Sequence, residues 1–320
     1  MINDNYNIQD LFTRRPVSVI QGIYSFIESR GDQPVIDNAI TRKVNSFYEQ
    51  SPFPNYEEYD DLSSFQEKAS SGVYAKMLDE QIPFGVKIAE CGCGTAQLSA
   101  YLAHGGRKVI ASDLCLNSLK IANDFKLKNN INNLELVHAD IFDLPFADGS
   151  FDFVISKGVL HSTYDCKKAF QCIARLVRPG GFIIVGLYNK YARMPSWFRK
   201  RLYKIFPNSI YKSDYVLKAL TEGETKKRSW ILDQYDNPHE KWYSVDTVLK
   251  WFDENGIAYV NSVPKINFSE TISERERLFQ KHNVGSGVEH SIMQLIWMFT
   301  IAREGGLFDL IGRKKGHVDK

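Results

Sequence analysis

No CxxC pair occurs anywhere in the 320 residues, and the 5 cysteines (Cys91, Cys93, Cys115, Cys166, Cys172) are odd in number and scattered. That gives no support to a zinc ribbon or a thioredoxin-like dithiol, and it suits a reducing compartment better than an oxidising one. Neither sign of charge dominates: Lys+Arg 40 against Asp+Glu 38 leaves +2, too little for a global field that draws in nucleic acid or acidic membrane. No apolar run approaches the roughly 20 residues of a membrane span; the longest, Ser291–Ala302, stops well short. The N-terminal MINDNYNIQDLFTRRP lacks the apolar centre of a secretory signal. What is present, 43% hydrophobic and 24% charged residues, is ordinary for a globular chain, so a soluble cytoplasmic protein is expected.

Pattern divides the chain into zones. Residues 1–84 read as a helical lead and lid. Val17–Ser29 carries apolar residues at helical spacing, Ser51-Pro52-Phe53-Pro54 cannot be helical, and Leu62–Glu80 resumes a helical pattern. Over 85–190, short apolar runs (Val86–Cys91, Lys108–Ser112, Leu134–His138, Phe151–Ser156, Phe182–Leu187) alternate with amphipathic segments, which predicts βαβ units and a parallel sheet covered on both faces. Residues 191–256 read as a cap insertion. Residues 257–320 supply two further strands, Ile257–Val263 and Gly306–Gly312, around the helix Ser286–Arg303, which is expected in the core or on a dimer face.

The sharpest local signal is the strand-to-turn sequence Ile88-Ala89-Glu90-Cys91-Gly92-Cys93-Gly94-Thr95-Ala96. Glycines here allow a tight bend and close approach of a ligand to the backbone. The dinucleotide fingerprint wants a third glycine where this chain has Gln97, which counts against NAD or FAD. Asp113 ends the next strand, where an acid can accept from ribose hydroxyls. After the third strand comes ADIFDLPFADGSFDFV, Ala139–Val154, with Asp140 placed to accept from an adenine amino group.

With that third stretch the chain closely resembles the class I S-adenosylmethionine-dependent methyltransferases, above all the small-molecule methyltransferase type 11 group. The likeness covers about residues 85–190 and continues through Ser156-Lys157-Gly158-Val159-Leu160-His161 and Leu176-Val177-Arg178-Pro179-Gly180-Gly181. It implies an α/β fold with a Rossmann-like seven-stranded sheet, last strand antiparallel, helical cap insertions, and S-adenosyl-L-methionine as cofactor. By the resemblance, Glu90, Gly92 and Gly94 match the methionine end, Asp113 and Leu114 the ribose and adenine edge, and Asp140 and Ile141 the adenine contacts. Ser156 and Lys157 match the strand that faces the cofactor, and the Lys157 ammonium is expected to point at the cofactor carboxylate or away. Ala96 departs from a common glycine. Tyr48, Phe53, Asn55 and Tyr56 fall where the family places a lid, with Tyr56 expected to cover the cofactor.

The acceptor side is less legible. No Asn/Asp-Pro-Pro-aromatic stretch and no cysteine follow the fourth strand, which makes base methylation in DNA an unfavoured reading. His161 is the candidate general base, against a packing or helix-capping role. Tyr235, His239 and Glu240, in a polar stretch too poor in His and Cys for a metal, are candidate substrate contacts, against an ordinary turn. Lys190–Lys204 is basic and aromatic: a solvated cap helix, a membrane-surface or lipid-like-substrate contact, or an RNA-binding surface all remain open. Methylation of a small molecule is the leading expectation; an RNA-modifying enzyme and a non-catalytic cofactor-binding scaffold are the alternatives. Oligomeric state is not legible.

Overall fold

The structure is a computed structural model, and it describes residues 8–30, 33–52, 64–65, 67, 73–206, 214, 217, 227, 231–271, 273, 276–301 and 305–316. Two short strands, β1 (Ser18–Ile20) and β2 (Ile23–Ser25), come first, followed by helices α1 (Ala39–Gln50) and α2 (Val73–Gln81). The alternating region then runs β3 (Lys87–Cys91), α3 (Gln97–His104), β4 (Lys108–Asp113), α4 (Leu116–Lys128), β5 (Leu134–His138), β6 (Phe151–Lys157), α5 (Cys166–Ala174) and β7 (Val177–Tyr188). After α6 (Met194–Ile205) and α7 (Val245–Glu254) come β8 (Ile257–Val263), α8 (Gly287–Thr300) and β9 (Leu307–Lys314).

The strands form one 9-stranded sheet in the order β1-β2-β5-β4-β3-β6-β7-β9-β8. The seven from β5 to β8 are the expected set. β3 to β7 pair in parallel, and the last strand, β9, lies antiparallel between β7 and β8. Alternate residues along each inner strand serve opposite faces, as the two-residue period of a strand requires. Ala89, Cys91, Val154, Ile183 and Val185 join one apolar cluster with α5 and α7; Ile88, Val109, Ala111, Phe153 and Ile155 join another with α2, α3 and α4. Both faces are thus covered, which is why the central runs contain so little polar residue.

The two extra strands correct the expectation of a helix over Val17–Ser29. Gln21 and Gly22 both take positive φ (53° and 91°), the backbone of a tight hairpin turn whose twist matches its strands. β2 then pairs in parallel with β5 through Tyr24–Val137 and Ser25–His138. The apolar spacing fits either period, and the unpaired edge of β5 decides between them. Of the expected helix Leu62–Glu80, residues 73–80 lie in α2 and most of the rest lies outside the described residues. The helix predicted at Ser286–Arg303 is α8, begun by a reciprocal Ser286–Glu289 capping box; it buries Trp297 and leaves Val288, Leu295 and Phe299 exposed.

Candidate functional site

Strand order reverses between β3 and β6, and an open α/β sheet binds ligands outside the carboxyl ends of its strands at such a point. A cavity of about 510 Å³ opens there. Its floor is made by the loops after β3, β4, β5 and β6, and α1 lies along it with Thr41, Val44, Asn45 and Tyr48.

The bend after β3 depends on left-handed backbone at Gly92 (φ 79°), Gly94 (φ 54°) and Ala96 (φ 56°). A methyl group on Gly92 would run into Val159, so glycine lets the β3 and β6 loops pass each other. Ala96 tolerates the same conformation with its methyl fully buried. The turn is held from the next strand: Asp113 accepts from the Gly94 N–H at 2.7 Å and from the Cys115 N–H at 2.8 Å. Burial pushes the Asp113 carboxyl up, and the backbone donors of Cys115 and Gly94 oppose that. Asp140 accepts from the Phe142 N–H through Oδ1 at 3.0 Å, and burial likewise raises its carboxyl. Glu90 is more extreme. Burial pushes its carboxyl to about 7, even though the Ser99 hydroxyl donates to it.

Glu90, Gly92, Gly94, Asp113, Leu114, Asp140 and Ile141, all singled out in the sequence, line this one cavity. So does Tyr48 of the lid stretch; Phe53, Asn55 and Tyr56 lie outside the described residues. Ser156 does not reach the cavity: it is fully buried and its hydroxyl donates to the Cys91 carbonyl at 2.8 Å, tying β6 to the glycine turn. Lys157 lines the cavity, but its ammonium turns away to Asp309 Oδ2 at 2.7 Å and lies over the Tyr74 ring. Cys93 and Cys115 also line it, with burial raising both thiols, Cys115 to about 12, so neither is an activated nucleophile.

His161 lies one layer behind the wall. It is buried, its ring packs on Tyr188 at 4.0 Å between centroids, and Tyr188 is what faces the cavity. Burial lowers the imidazole to about 3. His161, the expected general base, thus packs behind Tyr188 and does not itself line the cavity. The three expected substrate contacts are also elsewhere. The Tyr235 hydroxyl donates to buried Asp214. Glu240 receives Arg193 in a two-pronged pair (2.7 and 2.6 Å) together with the Trp242 indole, and it lines a separate cleft with them. The His239 N–H donates to Asn237, and the ring lines neither cavity.

Sequence reasoning missed the polar groups above the floor. Thr41 Oγ1, Asn45 Oδ1 and Ser162 Oγ are buried and have no hydrogen-bond partner, and all three residues line the cavity. Asn45 sits mid-helix on the buried side of α1, which is the one cue the sequence offered. Gly158 has φ 76° and open space where a side chain would be. Two carboxylates with lone pairs to spare, unsatisfied amide and hydroxyl groups and a glycine-lined bend form a donor and acceptor set that fits an adenosyl amino acid.

A family profile described as "Methyltransferase domain" matches residues 89–185. The chain is 31% identical over 177 residues to a demethylmenaquinone methyltransferase of Staphylococcus haemolyticus, covering 53% of this chain and 70% of that one. It is 34% identical over 115 residues to a fatty-acid O-methyltransferase of Mycolicibacterium smegmatis, covering 36% and 42%. Among solved structures, the geranyl diphosphate C-methyltransferase of Streptomyces coelicolor superposes with a TM-score of 0.52 at 13% identity, over 88% of this chain and 100% of that one, a likeness of fold.

Proposed function

The chain belongs to the class I S-adenosylmethionine-dependent methyltransferases, and from that premise we propose that it methylates a small acceptor with an apolar body, held between the β6 loop, α1 and the end of β7. The observation that carries this reading is the convergence of Asp113, Asp140 and the Gly92–Gly94 bend on one cavity. Bound there, S-adenosylmethionine supplies a methyl group already activated by the positive charge of its sulfonium. Asp113 takes the ribose hydroxyls with the lone pairs its backbone donors leave free, and Asp140 takes the adenine amino group. Glu90 stands at the methionine end, where a cationic neighbour favours its ionised form.

Positioning and exclusion of water are the remaining tasks. In-line placement of two reactants can remove about 7–11 kcal/mol of barrier. Val44, Val159, Leu307, Tyr48 and Tyr188 supply apolar and aromatic wall to the same cavity, which supports an acceptor that is largely apolar. Relatives named for demethylmenaquinone and for fatty acids agree with that chemistry. His161 acts through Tyr188, as a positioning residue.

Calorimetric titration with S-adenosylhomocysteine tests the assignment. Asp113→Ala and the gentler Asp113→Asn should each weaken binding by about 10- to 100-fold, the worth of charged hydrogen bonds. Unchanged affinity in a folded variant removes Asp113 from the site.

A further inference from the structure

Outside the methyl-transfer cavity, α6 carries a surface of its own. Its sequence, MPSWFRKRLYKI, contains four cations and no acid. At about 100° per residue, Met194, Phe198, Leu202 and Ile205 fall within one arc of roughly 80°. All four are exposed, Phe198 at 61% and Ile205 at 68%, and Phe206 continues the strip at 61%. Among the described residues nothing covers them. A contiguous exposed apolar strip on one helix marks an interaction surface.

The flank of that strip is cationic. A cleft of about 360 Å³ opens beside α6, lined by Trp197, Lys200, Arg201 and Lys204 from the helix and by Glu240 and Trp242 from across it. Glu240, the one acid there, is consumed by the buried Arg193 and the Trp242 indole. Lys200 spends one donor on the Asn237 carbonyl at 3.2 Å. Arg201 lies over the Trp197 ring at 4.0 Å, and among the described residues neither Arg201 nor Lys204 has a carboxylate partner. The cleft therefore holds unneutralised positive charge at the edge of an apolar strip.

We propose that α6 is a membrane-surface helix. Its Met194–Phe198–Leu202–Ile205 face enters the boundary of an anionic bilayer, and the adjoining cleft receives a lipid phosphate on Lys200, Arg201 and Lys204. The complementarity lies in the order of groups around the helix: apolar atoms at the acyl boundary, cations one step round at headgroup level, long basic side chains reaching sideways to phosphate. A soluble anion would explain the cleft but leave the apolar strip unexplained; a second copy of the chain would explain the strip but bring its own cations against these.

Flotation of the full chain with vesicles tests this, using phosphatidylcholine alone and phosphatidylcholine mixed with phosphatidylglycerol. The protein should float with the mixed vesicles, not with the neutral ones, and binding should fall as salt rises. Arg201→Gln with Lys204→Gln should weaken partitioning by about 30-fold, and Phe198→Ser with Ile205→Ser should abolish it. These side chains are exposed, so an unchanged melting temperature verifies each fold. Equal binding to both lipids, no binding to either, or binding that survives either pair of changes overturns the proposal. So does a saturable change in tryptophan fluorescence with inorganic phosphate but no vesicle binding, or a dimer that Phe198→Ser with Ile205→Ser splits while vesicles are ignored. The methyl-transfer reading stands or falls separately, on cofactor titration.

Discussion

Glu90 and His161 are both buried, and burial moves them in opposite directions with opposite consequences for pH. The Glu90 carboxyl rises from 4.5 to about 7, so the native state favours its neutral form. Stability from this group is fullest below its unfolded value and is lost, at about 1.4 kcal/mol per pH unit, as pH climbs from there toward the folded value. The His161 imidazole falls from 6.5 to about 3, so the native state rejects its proton. Stability from this group is present above its unfolded value and is lost at a similar rate as pH drops toward the folded one. Between 4.5 and 6.5 the two slopes oppose each other and largely cancel. Glu90→Gln should therefore gain on the wild type as pH rises through that window, and His161→Asn should gain as pH falls through it. Denaturant midpoints across the window measure both; parallel curves for wild type and variants would show that neither group is buried as described. The same numbers bear on catalysis. An imidazole held neutral and screened by Tyr188 adds no ionisation near neutrality to the rate profile.

At the level of elements, the part nearest the cofactor loops that the sequence did not announce is the N-terminal hairpin. β2 caps the edge of β5, and a relay runs inward from it: Ser25 Oγ to His138 Nδ1 at 2.9 Å, then His138 Nε2 to the Leu114 carbonyl at 3.1 Å. Leu114 lines the cavity beside Asp113, so the hairpin buttresses that corner of the cavity from outside. His138→Ala should cost about 1–3 kcal/mol, since it leaves buried groups without partners, and should weaken S-adenosylhomocysteine binding severalfold. Thermal melting and calorimetry on one sample separate the effects; lost stability with unchanged affinity would make the relay purely structural. α1 is fastened differently. Its Glu49 carboxylate accepts from the Leu116 N–H at 2.7 Å, at the N-terminus of α4, where an anion is favoured by the exposed backbone donors. Tyr48, one residue earlier, receives the Asn237 amide from the segment that follows α6. The helix is thereby held from both sides over the cavity it lines.

Across the whole molecule, two apolar clusters sit on opposite faces of one sheet, and the cavity lies at the end of the seam between them. Polar groups there are kept unsatisfied: Thr41 Oγ1, Asn45 Oδ1 and Ser162 Oγ have no hydrogen-bond partner, and Glu90 is pressed toward neutrality. A ligand that satisfies them binds the folded chain and not the unfolded one, so it stabilises by mass action. At a hundredfold excess over its Kd, S-adenosylhomocysteine should add about 2.7 kcal/mol, which for a chain of this length is a rise in melting temperature of roughly 4 °C. Scanning calorimetry should find that rise in the wild type and little of it in Asp113→Ala. Equal shifts in both would place the ligand elsewhere.

The alternation of apolar runs and amphipathic segments determined the parallel core, because a strand buried on both faces must be apolar throughout and its crossover must be a helix of period 3.6. The glycine bend and the acids after β4 and β5 were equally readable, since each needs a particular residue type at a particular strand end. Side chains whose role depends on what lies behind them were not. His161 follows the fourth strand as a base would, yet only the packing of Tyr188 over it decides that it faces protein. Glu240 stands in a polar loop as a substrate contact would, yet only the fold brings Arg193, 47 residues away in the chain, onto both of its oxygens. Val17–Ser29 could satisfy either period, and the open edge of β5 chose the strand. Local patterns record what a segment can bury; which partner it buries against is set by distant residues, and that information exists only once the chain has closed on itself.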